Sequence, residues 1–159
     1  METFKMGEGA YGVDDLRAFL EGGWTIMRTI RDRRAGVEGR FVGVARFLPT
    51  ADGLDCRESG RLVIGAHDGP AEQLHRYRFP AQGRAEIRFR DDRPFHALDL
   101  TTGAARAAHA CPPDRYRARF RVIAPDIWCA VWQVRGPRKD LIIASRFTRN
   151  PDQRLDPQP

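Results

Sequence analysis

Arginine occupies every second position of the segment RYRARFRV at residues 115–122, and tyrosine, alanine, phenylalanine and valine fill the positions between. Successive side chains of a β-strand point to opposite faces, so this alternation predicts a strand with one charged and one apolar face. Residues 84–90 and 75–79 repeat the pattern. Because a wet face and a dry face are typical of antiparallel sheets, these segments predict an antiparallel sheet.

Further segments have the length and composition of short strands: 24–31, 40–48, 58–66, 95–100, 105–110, 127–135 and 141–148. Glycine, proline and aspartate cluster between them, as at residues 34–36 and 67–70, which predicts tight turns. Closing such a meander removes the exposed edge strands that would otherwise pair with other chains. We therefore predict an all-β fold, a closed antiparallel β-barrel of about eight to ten strands, with a two-sheet sandwich as the alternative.

One short helix is predicted ahead of the strands, over residues 13–21. Asp14 or Asp15 can accept hydrogen bonds from the free N–H groups of its first turn, and the glycine pair that follows ends it. Leu16 and Leu20 lie on one face of this helix. We expect that face to dock on an apolar surface.

Length and composition limit the class of protein. We expect residues 1–12 to be flexible, residues 13–149 to form one barrel domain and residues 150–159 to be a disordered tail. No apolar run reaches the roughly eighteen residues of a membrane span, so no membrane partner is expected. The three cysteines form no CxxC pair, which favours a reducing cytoplasm. The net charge of the chain is +6, but the arginines are scattered singly along strands. This distribution argues against nucleic acid as a partner.

Four motifs carry a resemblance to a known family: LRAFLEGGW at 16–24, FHALDL at 95–100, HACPPDRY at 109–116 and WQVRGPRKD at 132–140. Together they resemble an uncharacterised bacterial lipocalin-like, or calycin-type, domain family of unknown function. The resemblance implies a calycin-like barrel in which Trp24, opening the first strand after a glycine pair, plugs the floor. It also implies that an arginine near the end of the last strand covers the Trp24 ring, for which Arg146 is the candidate, with Arg149 close by.

Several polar residues share the apolar phase and are expected inside the barrel. Arg28 is in phase with Trp24, and Glu58 is in phase with the leucine at 62. We predict that a small amphipathic or aromatic metabolite, with an anionic group for Arg28, binds there as the partner of this protein. The candidate ligand-binding residues are Arg28, Glu58, His75, Tyr77 and Trp132. The alternative is a filled barrel in which Arg28 and Glu58 form a buried pair.

A second hypothesis is a small cofactor-free lyase, isomerase or cyclase. A histidine, His96 or His109, beside Asp114 would act as a general base, and Tyr116 would donate to a developing oxyanion. The phase of residues 95–100 stays open, because either His96 or Phe95 can point inward.

The sequence also permits a haem-binding barrel, or a protein-interaction module whose arginine face binds an acidic surface. A metal site from His96, His109 and Cys111 lacks any CxxC or HxxxH spacing, so no metal and no cofactor are predicted. A homodimer is compatible with the sequence.

Overall fold

The computed structural model describes residues 10–151. Most of the expected flexible N-terminus (residues 1–9) and most of the expected tail (residues 152–159) lie outside the described residues. Residues 10–12 of that N-terminus are described, and among them Tyr11 donates its backbone N–H to the Val122 carbonyl at 2.9 Å. Tyr11 is therefore hydrogen-bonded to β8.

The all-β prediction is confirmed: one short helix precedes ten strands. The elements are α1 Leu16–Leu20, β1 Gly22–Asp32, β2 Val37–Pro49, β3 Gly53–Ile64, β4 His67–Ala81, β5 Arg84–Phe89, β6 Pro94–Asp99, β7 Ala104–Cys111, β8 Asp114–Ala124, β9 Ile127–Gly136 and β10 Lys139–Arg149. The prediction of a turn at residues 67–70 is wrong. The chain reverses instead at Gly65, whose φ of +56° suits glycine, and His67 already opens β4.

With five residues, α1 is too short to span a bilayer, and no described helix has the length and apolarity to do so.

The strands form one continuous antiparallel sheet in the order β6-β5-β4-β3-β2-β1-β10-β9-β8-β7. The first and last strands pair directly, from Trp24 opposite Arg149 to Asp32 opposite Leu141. β6 and β7 are the two ends of this order, and they meet without a backbone ladder. The result is the expected barrel, nearly closed, with one seam between β6 and β7.

The helix α1 closes one end of the barrel, which we call the closed end. Asp15 caps the helix by accepting the Ala18 N–H at 3.0 Å. Leu16 and Leu20 are fully buried, as their shared face predicted. Trp24 is also fully buried, and its indole N–H donates to the Leu20 carbonyl at 2.8 Å. Trp24 thus joins the floor of the barrel to the helix that covers it.

The arginine that covers Trp24 is Arg149, not Arg146. The Arg149 guanidinium carbon lies 4.1 Å from the Trp24 ring centre, and this group also donates to the Glu21 carbonyl at 3.1 Å and to the Phe19 carbonyl. Arg146 is exposed on the outer face, opposite Met27. The β1–β10 register decides between them, because it places Arg149 directly opposite Trp24.

We predict that Arg149→Lys lowers the free energy of unfolding by about 2 kcal/mol, because lysine cannot donate to two carbonyls while lying over the Trp24 ring. The matched control Arg146→Lys should change it by less than about 0.5 kcal/mol, as expected for an exposed site. Urea unfolding followed by circular dichroism measures both values. Equal losses in the two variants would show that the Trp24–Arg149 contact stabilises the fold no more than an exposed arginine does.

Candidate functional site

A charged pair lies on the inner face of the barrel, midway between its ends. Two Arg28 nitrogens donate to the Glu58 carboxylate at 2.9 and 3.1 Å, and Arg28 Nε donates to Ser145 Oγ at 2.7 Å. Glu58 is only 8% exposed and Ser145 only 3%. The Arg28 guanidinium also lies 5.3 Å from the Phe41 ring centre. Three donors of Arg28 are therefore committed to partners within the protein.

This geometry matches the alternative in which Arg28 and Glu58 form a buried pair. A guanidinium that already holds a carboxylate in two bonds has its charge compensated, so it is a poor clamp for an anionic group. Sequence reasoning missed Ser145, the third member. The sequence feature that could have identified Ser145 is its position two residues before Phe147, which places both side chains on the same face of the last strand.

An aromatic cluster extends along the inner face from this pair to the seam. Phe95 is at its centre, stacked on Phe89 at 4.5 Å and on Trp132 at 5.0 Å between ring centres. The cluster consists of His75, Phe89, Phe95, His96, His109, Tyr116, Phe120 and Trp132. Most of these side chains are half-buried, unlike the fully buried residues of the closed end.

A β-bulge explains why both Phe95 and His96 join the cluster. Ile87 pairs with His96, whereas Arg88 pairs with Pro94, so β6 carries one residue more than β5 across this step. A bulge sends two consecutive side chains toward the same region of the barrel, which strict alternation forbids. The bulge answers which side chain of residues 95–100 points inward, because both Phe95 and His96 do so. His96 shares its face with the buried Leu98, and Phe95 joins it through the bulge.

His109 bridges the seam, since its Nδ1 lies 3.0 Å from the Phe95 carbonyl oxygen. His96 Nδ1 lies 3.0 Å from the Ala97 carbonyl oxygen. A carbonyl oxygen only accepts, so Nδ1 carries the proton in both rings, and the lone pair of each neutral ring is on Nε2. Neither Nε2 atom has a hydrogen-bond partner among residues 10–151.

Burial keeps two of these histidines neutral. It lowers the pKa of His96 from 6.5 to about 4, against a smaller opposing effect of the Ala97 carbonyl, with His75 and His109 lowering it further. Burial also lowers the pKa of His75, where Glu58 opposes and Arg28 adds to the effect. At neutral pH both rings therefore present lone pairs and no charge.

Tyr77 lies on the closed-end side of His75. Its ring packs edge-on against Phe47 at 5.2 Å, and burial raises its pKa well above the usual range, with Cys56 and Glu58 adding to the effect. Burial likewise raises the pKa of the Cys56 thiol, so this cysteine stays protonated. Neither group is prepared for proton transfer or nucleophilic attack at neutral pH.

The structure brings His96, His109 and Tyr116 into one cluster but leaves Asp114 outside it. Asp114 opens β8 directly after the β7–β8 turn, where it accepts from Lys139 Nζ at 3.0 Å. The hydrogen bonds of both histidines go to backbone carbonyls rather than to a carboxylate. Cys111 is exposed, and within residues 10–151 no three metal-ligating side chains are arranged to hold a metal ion.

The barrel is open at the end opposite α1, which we call the open end. Inner-face side chains there stay half-buried although they are apolar: Ile30, Leu62, Ile64, Leu141 and Ile143. Val134, on the same face, is buried. Solvent thus reaches part of the inner wall from this end.

Two shallow recesses lie outside this wall. One, of about 220 Å³, is lined by Arg115, Arg117, Gln133 and Arg135 on the outer face of β8 and β9. The other, of about 310 Å³, follows the seam between Ala97 and Ala105. The alternation of arginines therefore produces the solvated outer face that it predicted.

We predict that Glu58→Gln lowers the free energy of unfolding by about 3 kcal/mol, because it leaves the Arg28 charge buried without a carboxylate. The matched control is Glu38→Gln, since Glu38 holds Arg31 at the same 2.9 Å in an exposed pair. That control should lose less than about 1 kcal/mol. Urea unfolding measures both. A double variant, Arg28→Met with Glu58→Leu, should regain most of the loss, and failure to do so would contradict a purely electrostatic cause.

We predict that stability falls as the pH drops from 6.5 toward 4. In this window the unfolded chain protonates His96 at its ordinary pKa of 6.5, while the folded chain resists until about 4. The unfolded state therefore binds more protons, which favours unfolding. Urea unfolding at a series of pH values should show a smaller slope for His96→Phe than for the parent, and an unchanged slope for His67→Gln at an exposed position. An undiminished slope in His96→Phe would contradict this assignment.

Solved structures with this fold include the two that follow. The S-type phycobiliprotein lyase CPES from Guillardia theta superposes with a TM-score of 0.61 at 10% identity, over 93% of this chain and 98% of the lyase. A protein of unknown function from the DUF3598 family of Nostoc punctiforme superposes with a TM-score of 0.53 at 10% identity, over 91% of this chain. This chain spans about half of that protein, 53% of its length. At such identities the likeness concerns the fold alone.

Sequence comparison defines the family. No functionally curated protein matches the chain by sequence. The sequence profile of one family matches residues 20–149, from the end of α1 to the end of β10. The chain therefore belongs to DUF6314, a family of unknown function.

Proposed function

We propose that this protein binds a small, flat, largely apolar molecule on the inner wall between the aromatic cluster and the open end. One observation carries the proposal. Inner-face aromatic side chains such as Phe95 and Trp132 remain half-buried, whereas the closed end is packed to full burial around Trp24. Apolar surface that a barrel leaves accessible on its inside is the typical wall of a ligand site.

The polar groups of the wall favour binding over a filled core. His96 and His109 offer unpaired Nε2 atoms next to stacked rings, and a half-buried acceptor gains from a partner that excludes water. A phycobiliprotein lyase from Guillardia theta has the same barrel fold, which agrees with a functional role for the barrel and names no ligand for this chain. Ligand entry from the open end requires no rearrangement of the β1–β10 ladder.

We expect flat aromatic compounds to raise the melting temperature, since a ligand that binds only the folded state adds RT ln(1 + [L]/Kd) to stability. The three tryptophans locate the site within one NMR spectrum. The indole N–H signal of Trp132 should move on titration, whereas those of Trp24 and Trp128, packed at the closed end, should stay.

Trp132→Leu should weaken binding, and Arg146→Gln on the outer face should not. A set of aromatic compounds that leaves both the melting temperature and the Trp132 signal unchanged would contradict the proposed function.

A further inference from the structure

We infer that the ligand is an uncharged aromatic molecule that presents an N–H or O–H donor to the histidines of the cluster. This inference rests on the proposed function and narrows its ligand class. It reverses the expectation of an anionic ligand, because the structure distributes donors and acceptors differently from the sequence pattern.

The cationic group of the wall, Arg28, is already paired. Arg28 gives two hydrogen bonds to Glu58 and one to Ser145. His109 gives its Nδ1 proton to the Phe95 carbonyl, and His96 gives its proton to the Ala97 carbonyl. A carboxylate or phosphate arriving here would find the Arg28 charge already compensated by Glu58 and would have histidine lone pairs beside it, so it would lose its water without gaining a cationic partner.

The acceptors of the wall are free. With Nδ1 fixed as the donor, Nε2 of His96 and Nε2 of His109 each keep a lone pair without a partner among the described residues. Both rings pack against Phe95, His96 at 4.7 Å and His109 at 5.2 Å between ring centres. The two imidazole rings therefore border the same aromatic surface.

The aromatic surface selects flat molecules. Phe89, Phe95 and Trp132 stack in sequence, with planes 17° and 21° apart, so a face of this stack offers nearly parallel rings. A flat ring that extends such a stack keeps its edge free for hydrogen bonds. A flat ligand with an edge donor satisfies the stack and the histidine acceptors together.

The test compares three bicyclic probes of nearly equal size. Indole carries an N–H donor, benzofuran replaces it with an oxygen acceptor, and indole-3-carboxylate adds an anion. Affinities are read from the Trp132 N–H signal at pH 7.5. We expect indole to bind about fivefold to tenfold tighter than benzofuran, the ratio given by one net hydrogen bond. Indole-3-carboxylate should bind more weakly than indole.

Two further measurements assign the preference to the histidines. The double variant His96→Phe with His109→Phe keeps both rings but has neither Nε2 lone pair, so the indole-to-benzofuran ratio should fall toward one, whereas the exposed variant His67→Gln should keep the parent ratio. Long-range ¹H–¹⁵N correlation spectra should show His96 and His109 protonated at Nδ1.

The outcomes separate the two proposals. Equal affinities for indole and benzofuran, tighter binding of the carboxylate, or rings protonated at Nε2 would overturn this inference and leave the binding function standing. If none of the probes moves the Trp132 signal, both proposals fail for bicyclic aromatic ligands.

Discussion

The pairing of β1 with β10 is the contact on which the barrel depends. The sheet grows from this junction in both directions, through β2 to β6 on one side and through β9 to β7 on the other. The junction joins segments that are far apart in the chain, so it carries the largest loop-closure cost of the fold. Trp24 and Arg149 meet across it, and Arg28 and Ser145 meet further along the same ladder.

These contacts fix the register of the junction. A slip of one residue would turn every side chain of β10 to the other face, which would expose Phe147 and bury Arg146. It would also part Arg28 from Ser145. The buried charged pair thus acts with the Trp24–Arg149 contact as a register device, and the aromatic wall gains defined positions for its rings.

The candidate site lies where the barrel is least regular. β6 and β7 contribute Phe95, His96 and His109 at the seam, where His109 provides a side-chain hydrogen bond in place of a ladder. The closed end, by contrast, is packed to full burial around Trp24. The fully packed floor and the proposed binding wall are therefore separated along the barrel axis, and the wall keeps histidine acceptors without a partner among the described residues.

Local pattern determined the fold class, the short helix capped by an aspartate, the outer arginine face and the inward phase of Arg28 and Glu58. Alternation with period two is a property of each strand alone, so it can be recognised from the sequence. Only the tertiary structure decided that Arg149 covers Trp24, that Ser145 completes the charged pair, and that a bulge turns Phe95 and His96 to the same cluster. It also paired Asp114 with Lys139, while the histidines bond to backbone carbonyls. Each of these depends on register between strands distant in the chain, and register is set by how the whole sheet closes rather than by any segment within it.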